Sequence, residues 1–573
     1  MNLVTIDNKL LFEKKNLLLG SWCVDNIYKH INKKKFFVNL SYHWKIKSKR
    51  NKDYKYLFKL YNHFLKKLSK ELNVCHGLNY SLRAWEIILY KWLWTYLVFV
   101  FDRWEQIKKA TNNRKLTTKI IVYKSKDFIP YDSYQFPSLM IYSLEWNHWV
   151  SSKIIIFLKK IKYKFLRNSS FKRKAFIKKK LYNNNVNYLY LSNIFSSKKL
   201  YLQAAYFPKK ILIKILIYFK QLRFKKIKYF NNNSNYDIHL REKLFFLNSK
   251  DKFANFAFSF MKYNIPKTFI EDFNEILNII NSSDLPKNPK NILTSIDHNY
   301  NDLFKIYTAE KIMQGSKLLI MQHGGAYGIT KNNWFEKLEI RISDKFLTWG
   351  WKGYSKKIIP LFLQKTLGIK IKKNYLRNGI LLPVDNFNLQ PQSTSEGYPK
   401  YKEEIDNYIK NIIIFLSNID KSILDKSFLK YLNHSNINKN DYTLDSLKFK
   451  FPNIKIGKLP ENIFTLSKKY KLVVESLNST SFLELLNLNI PVILIYNDRF
   501  SSIRKSALKE FKMLKKVKII HDSPIKASKF VNNNYHTIEK WWNNKVLQKN
   551  RKIFCNKFAK KSENFLVELN KVF

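Results

Sequence analysis

At 573 residues, 45% hydrophobic and 16% aromatic, the chain is too long for one ordinary domain and too apolar for global disorder. Its formal charge of +63 raises nucleic acid or an anionic membrane as partners, but Lys and Asn recur everywhere, in runs such as YNNNVNYL and FNNNSNYD, and no helix-turn-helix, RNA-recognition or zinc-finger pattern occurs, so coding bias explains the charge better and no nucleic acid is expected. Three cysteines, Cys23, Cys75 and Cys555, without CxxC spacing argue against a disulfide framework or structural zinc and suit a reducing compartment.

The amino terminus, MNLVTIDNKLLFEKK, lacks a basic segment followed by an apolar one, so no secretory signal is expected. LLLGSWC (Leu17–Cys23) reads as a strand entering a glycine turn. YHW follows and contributes His43. From Tyr54 to Asn73 apolar residues recur every three or four positions, which predicts an amphipathic helix. Ser81–Ala110 predicts a longer helix, aromatic on several faces and therefore buried. Its apolar run Trp92–Phe101, flanked by Lys91 and Asp102, is too short to span a bilayer. Arg83, Glu86, Asp102 and Arg103 lie in this stretch, and such charges must pair internally or meet a ligand.

Residues from about 111 to 285 carry no chemical motif and are read as a helical insertion on an acceptor-binding side. Strands are predicted within it at Ile120–Tyr123 and Tyr188–Leu191. Ile211–Phe230 mixes apolar and basic residues, and suits either a packed helix face or a membrane-surface helix.

Regular βαβ spacing returns at Lys290. A strand at Asn291–Ile296 leads through Asp297 to a helix, and KLLI (Lys317–Ile320) leads into MQHGGAYG (Met321–Gly328). A helix at Trp334–Ile340 carries Glu339, and a strand follows at Lys345–Trp349. Gly324 and Gly325 allow close backbone approach. His323 either caps the turn or acts as a base or phosphate donor, having an ordinary pKa near neutrality. VDNFNLQPQSTSEGYPK reads as a linker. Beyond it strands are predicted at Asn411–Ser417, Lys471–Ser476 and Pro491–Tyr496, with helices at Ile423–Leu432 and Leu477–Leu488. Ser479, Thr480 and Ser481 stand at the second helix start, with Glu484 one turn in; they suit either plain capping or a bound phosphate. The carboxyl-terminal residues are mainly helical, anchored by Trp541 and Trp542.

The expectation is an α/β protein with two Rossmann-like domains facing a cleft, as in glycosyltransferase B, a helical, aromatic-rich N-terminal part and C-terminal helices. The acceptor-side domain is set at 1–383, the linker at 384–404 and the donor-binding domain at 405–573.

LGSWC, YHW, KDYKYL, LNVCHGLNYSLRAWEI, FDRW, GSKLLIMQHGGAYG, EIRISDKFLTWGW and STSFLELLNLNIPVI together resemble a family of transferases encoded in bacterial lipopolysaccharide, capsule and other surface-carbohydrate gene clusters. The chain departs from that pattern at Tyr90–Lys91, where Gly–Pro is expected, and at Val492, where Thr often follows the proline. More loosely, it is similar to CDP-glycerol-type phosphotransferases and to transferases using CMP-activated nonulosonic acids. The resemblance implies acid/base or phosphate duty for His323, with Glu339 and Asp297 as further candidate bases. It implies donor contact at Gly324, Gly325, Tyr327, Ser479, Thr480, Ser481 and Glu484, and an acceptor or structural pocket at His43, Arg83, Glu86, Asp102 and Arg103. No DxD-like motif occurs, so no metal and no cofactor beyond the nucleotide-sugar donor are expected. The implied partners are that donor and a glycan or lipid-linked acceptor. The implied location is the cytoplasm, with peripheral contact to the inner face of the membrane. Two alternatives stand beside this reading: transfer of glycerol- or ribitol-phosphate from a CDP-alcohol, and a non-enzymatic basic protein binding membrane or nucleic acid.

Overall fold

The computed structural model describes residues 1–24, 37–112, 114–166, 200–220, 235–283, 285–371, 377–387, 389–390, 399–432, 442–457, 461–496 and 502–573. Three sheets organise these residues, and the named strands pair in parallel throughout. The first comprises β1 (Asn2–Val4), β2 (Asn16–Leu18), β3 (Phe37–Asn39), β4 (Thr117–Ile121) and β5 (Lys162–Leu166), in the order β3-β2-β1-β4-β5. The second holds β6 (Leu200–Gln203), β7 (Asn291–Thr294), β8 (Lys317–Met321), β9 (Lys345–Thr348) and β10 (Ile358–Pro360), in the order β10-β9-β8-β7-β6. The third holds β11 (Ile380–Asp385), β12 (Phe428–Leu432), β13 (Ile456–Gly457), β14 (Leu472–Glu475), β15 (Val492–Ile495) and β16 (Ile520–His521). Its order, β13-β12-β11-β14-β15-β16, reverses direction between β11 and β14, where ligands of open α/β sheets bind. The protein is α/β.

Two long helices form the aromatic core of the N-terminal part. α1 (Lys47–His76) buries Tyr54, Leu57, Tyr61, Phe64, Leu65, Leu68 and Leu72 on one stripe. It ends at Gly77, whose φ of +63° is the left-handed cap that satisfies the last carbonyls. α2 (Leu82–Thr111) starts at Ser81, whose Oγ accepts the Ala84 N–H at 3.2 Å. Among the described residues α2 is the one helix long and apolar enough to cross a membrane, and it is buried against α1 and neighbouring helices.

The structure departs from the expected elements in four places. Asn411–Ser417 is not a strand but the end of α3 (Lys402–Ser417), because Ile405, Tyr408, Ile409, Ile412, Phe415 and Leu416 are buried at helical spacing around the continuous apolar run. The strand that opens the third sheet is β11, inside the region assigned to the first domain and its linker; Pro383 disguised it, since proline normally demotes a central strand. Of the expected helix Ile423–Leu432 only Ile423 and Leu424 are helical, at the end of the short helix Lys421–Leu424, and Phe428–Leu432 is β12. Finally, residues 111–285 carry helices, such as Leu144–Leu158 and Phe273–Ser282, but also supply β4 and β5 to the first sheet and β6 to the second. The expected strand Tyr188–Leu191 and the second half of Ile211–Phe230 lie outside the described residues.

Candidate active site

β8 delivers MQHGGAYG to the carboxyl edge of the second sheet. Gln322, fully buried, fixes the start of this loop. Its Oε1 accepts the Trp351 Nε1–H at 2.8 Å and the Trp349 N–H at 3.1 Å, while its Nε2 donates to the Gly324 carbonyl at 2.8 Å. Gln364 in turn donates to the Gln322 carbonyl at 2.9 Å and accepts the Trp349 indole N–H at 2.7 Å. The TWGW segment after β9 is therefore a brace for the histidine loop.

His323 projects from this braced loop with its side chain 22% exposed. Its Nδ1 lies 4.0 Å from Glu339 Oε2, on the helix Trp334–Ile342, and its Nε2 lies 3.3 Å from the Tyr327 hydroxyl. Tyr327 donates to the same Glu339 oxygen at 2.9 Å, so its one proton is committed there and its oxygen can only accept from the His323 ring. His298 approaches the other carboxylate oxygen at 3.5 Å, and its ring stacks on Tyr90. Glu339 is fully buried, and Glu339 Oε1, His323 Nδ1 and His298 Nδ1 have no hydrogen-bond partner. Burial pushes the His323 imidazole down to about 4, with Glu339 pulling the other way, so the ring is neutral at physiological pH. Lys91 sits over the Phe335 ring at 3.2 Å, and burial pushes its ammonium down to about 8 against the pull of Glu339.

The carboxyl edge of the third sheet meets this loop directly. Gly325 donates its N–H to Thr480 Oγ1 at 3.0 Å, and a Cβ on Gly325 would stand 2.7 Å from the Ser479 carbonyl oxygen. The missing side chain thus lets the two halves of the chain approach, whereas a Cβ on Gly324 would make only ordinary contacts. Ser479 caps α4 (Thr480–Asn487), and its hydroxyl and that of Ser481 donate to Glu475 at 3.2 Å and 2.5 Å. Burial pushes the Glu475 carboxyl, at the end of β14, up to about 8. Glu484 is 3.7 Å from Lys365 across the same junction, and burial pushes it up to about 7 with Lys365 opposing. A second clamp lies beside these: Arg504 pairs with buried Glu336 at 2.9 Å and donates to the Thr330 carbonyl, while Glu336 accepts the Gly328 N–H at 2.7 Å.

Of the three candidate bases, the structure brings His323 and Glu339 together. Asp297 stands on the same sheet edge but is occupied by Gln203 at 2.5 Å and Asn301 at 2.9 Å. The expected charged pocket divides into two ion pairs near the start of α2 and a separate cluster around Asp102, since residues 86 and 102 are about 24 Å apart at about 1.5 Å rise per residue. Arg83 is partly exposed and pairs with Asp344 at 2.6 Å. Glu86 pairs with Arg341 at 2.9 Å and accepts from Tyr61. Asp102 accepts from His43 at 2.9 Å, Arg103 at 2.6 Å and Tyr42. Among the described residues the one group with metal-ligand spacing is His43, Asp53 and Glu105.

Sequence reasoning missed Gln322, His298, Lys91, Glu475 and Arg504. A polar residue closing an apolar strand, as Gln322 and Glu475 do, was the available signal.

The site therefore lies at the carboxyl ends of parallel strands from two sheets, a ligand crevice of the α/β class. The chain belongs to the LIC12162 family of transferases, whose family model matches residues 1–573. No curated protein matches it in sequence. Among solved structures it is similar to TarM (10% identity, TM-score 0.30), covering 49% of this chain and 53% of TarM, so it spans about half of that protein's length. It is also similar to MurG of Acinetobacter baumannii (11%, TM-score 0.25, 49% and 72% covered). A third likeness is to the wall teichoic acid polymerase TagF (9%, TM-score 0.27, 63% and 84% covered).

Proposed function

We propose that this transferase moves a sugar from a nucleotide-activated donor to a surface-polymer or lipid-linked acceptor, in a glycosyltransferase B-like cleft between the second and third sheets. The observation that carries the reading is the His323–Glu339 pair facing the Gly325–Thr480 junction. The acceptor hydroxyl displaces the long Tyr327 contact; with the ring proton on Nδ1, beside Glu339, His323 Nε2 takes the acceptor's proton as its oxygen attacks the anomeric carbon. The nucleotide departs with the bonding electron pair. Glu339, beside Nδ1, stabilises the imidazolium as it forms. The N-terminus of α4 and the Ser479–Ser481 hydroxyls receive the leaving phosphates.

The helix Lys209–Tyr218 supports a peripheral location on an anionic membrane face. It exposes Ile213, Ile217 and Tyr218 between Lys209, Lys210 and Lys214 while burying Ile211, Ile215 and Leu216. Sedimentation with phosphatidylglycerol vesicles, lost in Ile213→Glu/Ile217→Glu, checks this.

The donor is tested by incubating purified protein with CMP-, UDP- and GDP-sugars and CDP-glycerol in the presence of lipid-linked acceptor. Release of nucleotide from a sugar donor supports the proposal. Consumption of CDP-glycerol alone replaces it with phosphotransfer.

A further inference from the structure

The cluster around His43 is not used by the reaction proposed above, and it has unexplained chemistry. His43 is buried just ahead of α1; Asp53 lies on the second turn of α1, and Glu105 near the end of α2. A ring nitrogen of His43 and carboxylate oxygens of Asp53 and Glu105 all lie within 4.8 Å of one another. The two histidine nitrogens have different fates. Nε2 donates to Asp102 at 2.9 Å, and Asp102 is itself fixed by Arg103 and Tyr42. That bond places the ring proton on Nε2 and leaves Nδ1 as a bare lone pair. Nδ1 is buried and has no hydrogen-bond partner, an arrangement that costs free energy unless something accepts the lone pair. A carboxylate behind one imidazole nitrogen, with the other nitrogen free of any hydrogen bond, is how metal-binding histidines are oriented, and two more carboxylates lie close to this ring.

The present occupant is Lys49. Its ammonium lies 2.7 Å from Asp53 Oδ2 and 3.1 Å from Glu105 Oε2, bridging the two carboxylates. The Trp44 indole N–H also donates to Asp53 Oδ2 at 2.7 Å, and Lys108 holds the other Glu105 oxygen at 2.9 Å. The ammonium spends two of its three N–H donors on the carboxylates and makes no hydrogen bond to His43 Nδ1, which stays bare. The Lys49 side chain is 37% exposed, so it can swing into solvent.

We propose that His43, Asp53 and Glu105 form a site for a divalent transition-metal ion, of the Zn2+ or Mn2+ kind, which Lys49 plugs in the metal-free protein. One imidazole with two carboxylates suits such an ion better than Ca2+ or Mg2+, which take oxygen ligands. Metal–ligand bonds of about 2.0–2.2 Å require donor atoms about 3.3 Å apart, so atoms now within 4.8 Å of one another close by at most about 1.5 Å on binding. Asp53 and Glu105, each with about one-sixth of its side chain exposed, have room to make that movement. The ion's role is structural. It ties the segment before α1 to both long helices, beside the place where Tyr42 packs on Tyr401 with ring centroids 4.9 Å apart.

The test titrates chelator-treated full-length protein with ZnCl2 and, separately, MnCl2, reading stoichiometry by elemental analysis and affinity by calorimetry. The expected result is one ion per chain, lost in His43→Gln and bound about tenfold more tightly in Lys49→Met, which removes the competing ammonium at a cost of about 1.4 kcal/mol per factor of ten. Because His43→Gln also disturbs the Asp102 network, Glu105→Gln serves as a second variant, in which affinity falls while the thermal midpoint without metal is retained. Absence of a stoichiometric ion in both wild type and Lys49→Met overturns the proposal, and so does binding that neither His43→Gln nor Glu105→Gln weakens.

Discussion

Gly325 and Thr480, 155 residues apart, are joined by a 3.0 Å hydrogen bond from the glycine N–H to the threonine hydroxyl, and the glycine has no room for a side chain. Gly325→Ala forces the Ser479 carbonyl away. We expect a loss of about 1–3 kcal/mol of stability and a larger loss of turnover, because the displaced loop carries His323. Thr480→Val removes only the acceptor and costs about 1 kcal/mol. Chemical denaturation of the two variants checks the order of these effects.

Arg504 reaches from the C-terminal part to Glu336, which is buried. Arg504→Met strands that carboxylate and should cost about 3–5 kcal/mol. Adding Glu336→Gln recovers much of the loss, since glutamine still accepts the Gly328 N–H without the stranded charge. A thermal-melt comparison of the single and double variants reads this directly; additive losses would contradict it.

Acid should weaken the fold through its buried histidines. His148, His323 and His521 are each held down to about 4 by burial. An unfolded histidine protonates near 6.5, so between about 6.5 and 4 the unfolded chain binds more protons than the folded one. Their contribution is complete above about 6.5 and is lost as pH falls towards 4. Denaturant melts across that window should show the decline, and His521→Gln should flatten it by about 1.4 kcal/mol per pH unit.

Glu475 has the opposite sign. Its carboxyl titrates at about 8 in the folded protein against about 4.3 unfolded, so the folded state holds the extra proton and loses stability as pH rises between those values. Glu475→Gln, which imitates the protonated acid between Ser479 and Ser481, should equal wild type at pH 5 and exceed it in thermal midpoint at pH 9. A variant less stable at both pH values would show that the ionised form is the one the site requires.

Much of this architecture was legible because local period and tertiary role agree. The spacing in α1, the buried aromatic run in α2 and the βαβ rhythm from Lys290 to Trp349 all survive in the structure. Legibility failed where two signals conflict. Pro383 sits in a central strand, and the apolar run of Asn411–Ser417 is too continuous to betray the helix that its flanks impose. His323 and Glu339 were both singled out, but their juxtaposition comes from β8 and the following helix packing together, which no sequence spacing encodes. Likewise the hydroxyl cluster after β14 was visible as a helix start, yet its attachment to Glu475 and to Gly325 depends on the third sheet meeting the second.

The central claim is that His323 takes the acceptor's proton. The direct measurement is nucleotide release by His323→Ala beside wild type, with donor affinity measured on the same samples. The account predicts turnover lower by about 10²–10⁴-fold with donor binding retained. Unchanged turnover in His323→Ala would contradict it.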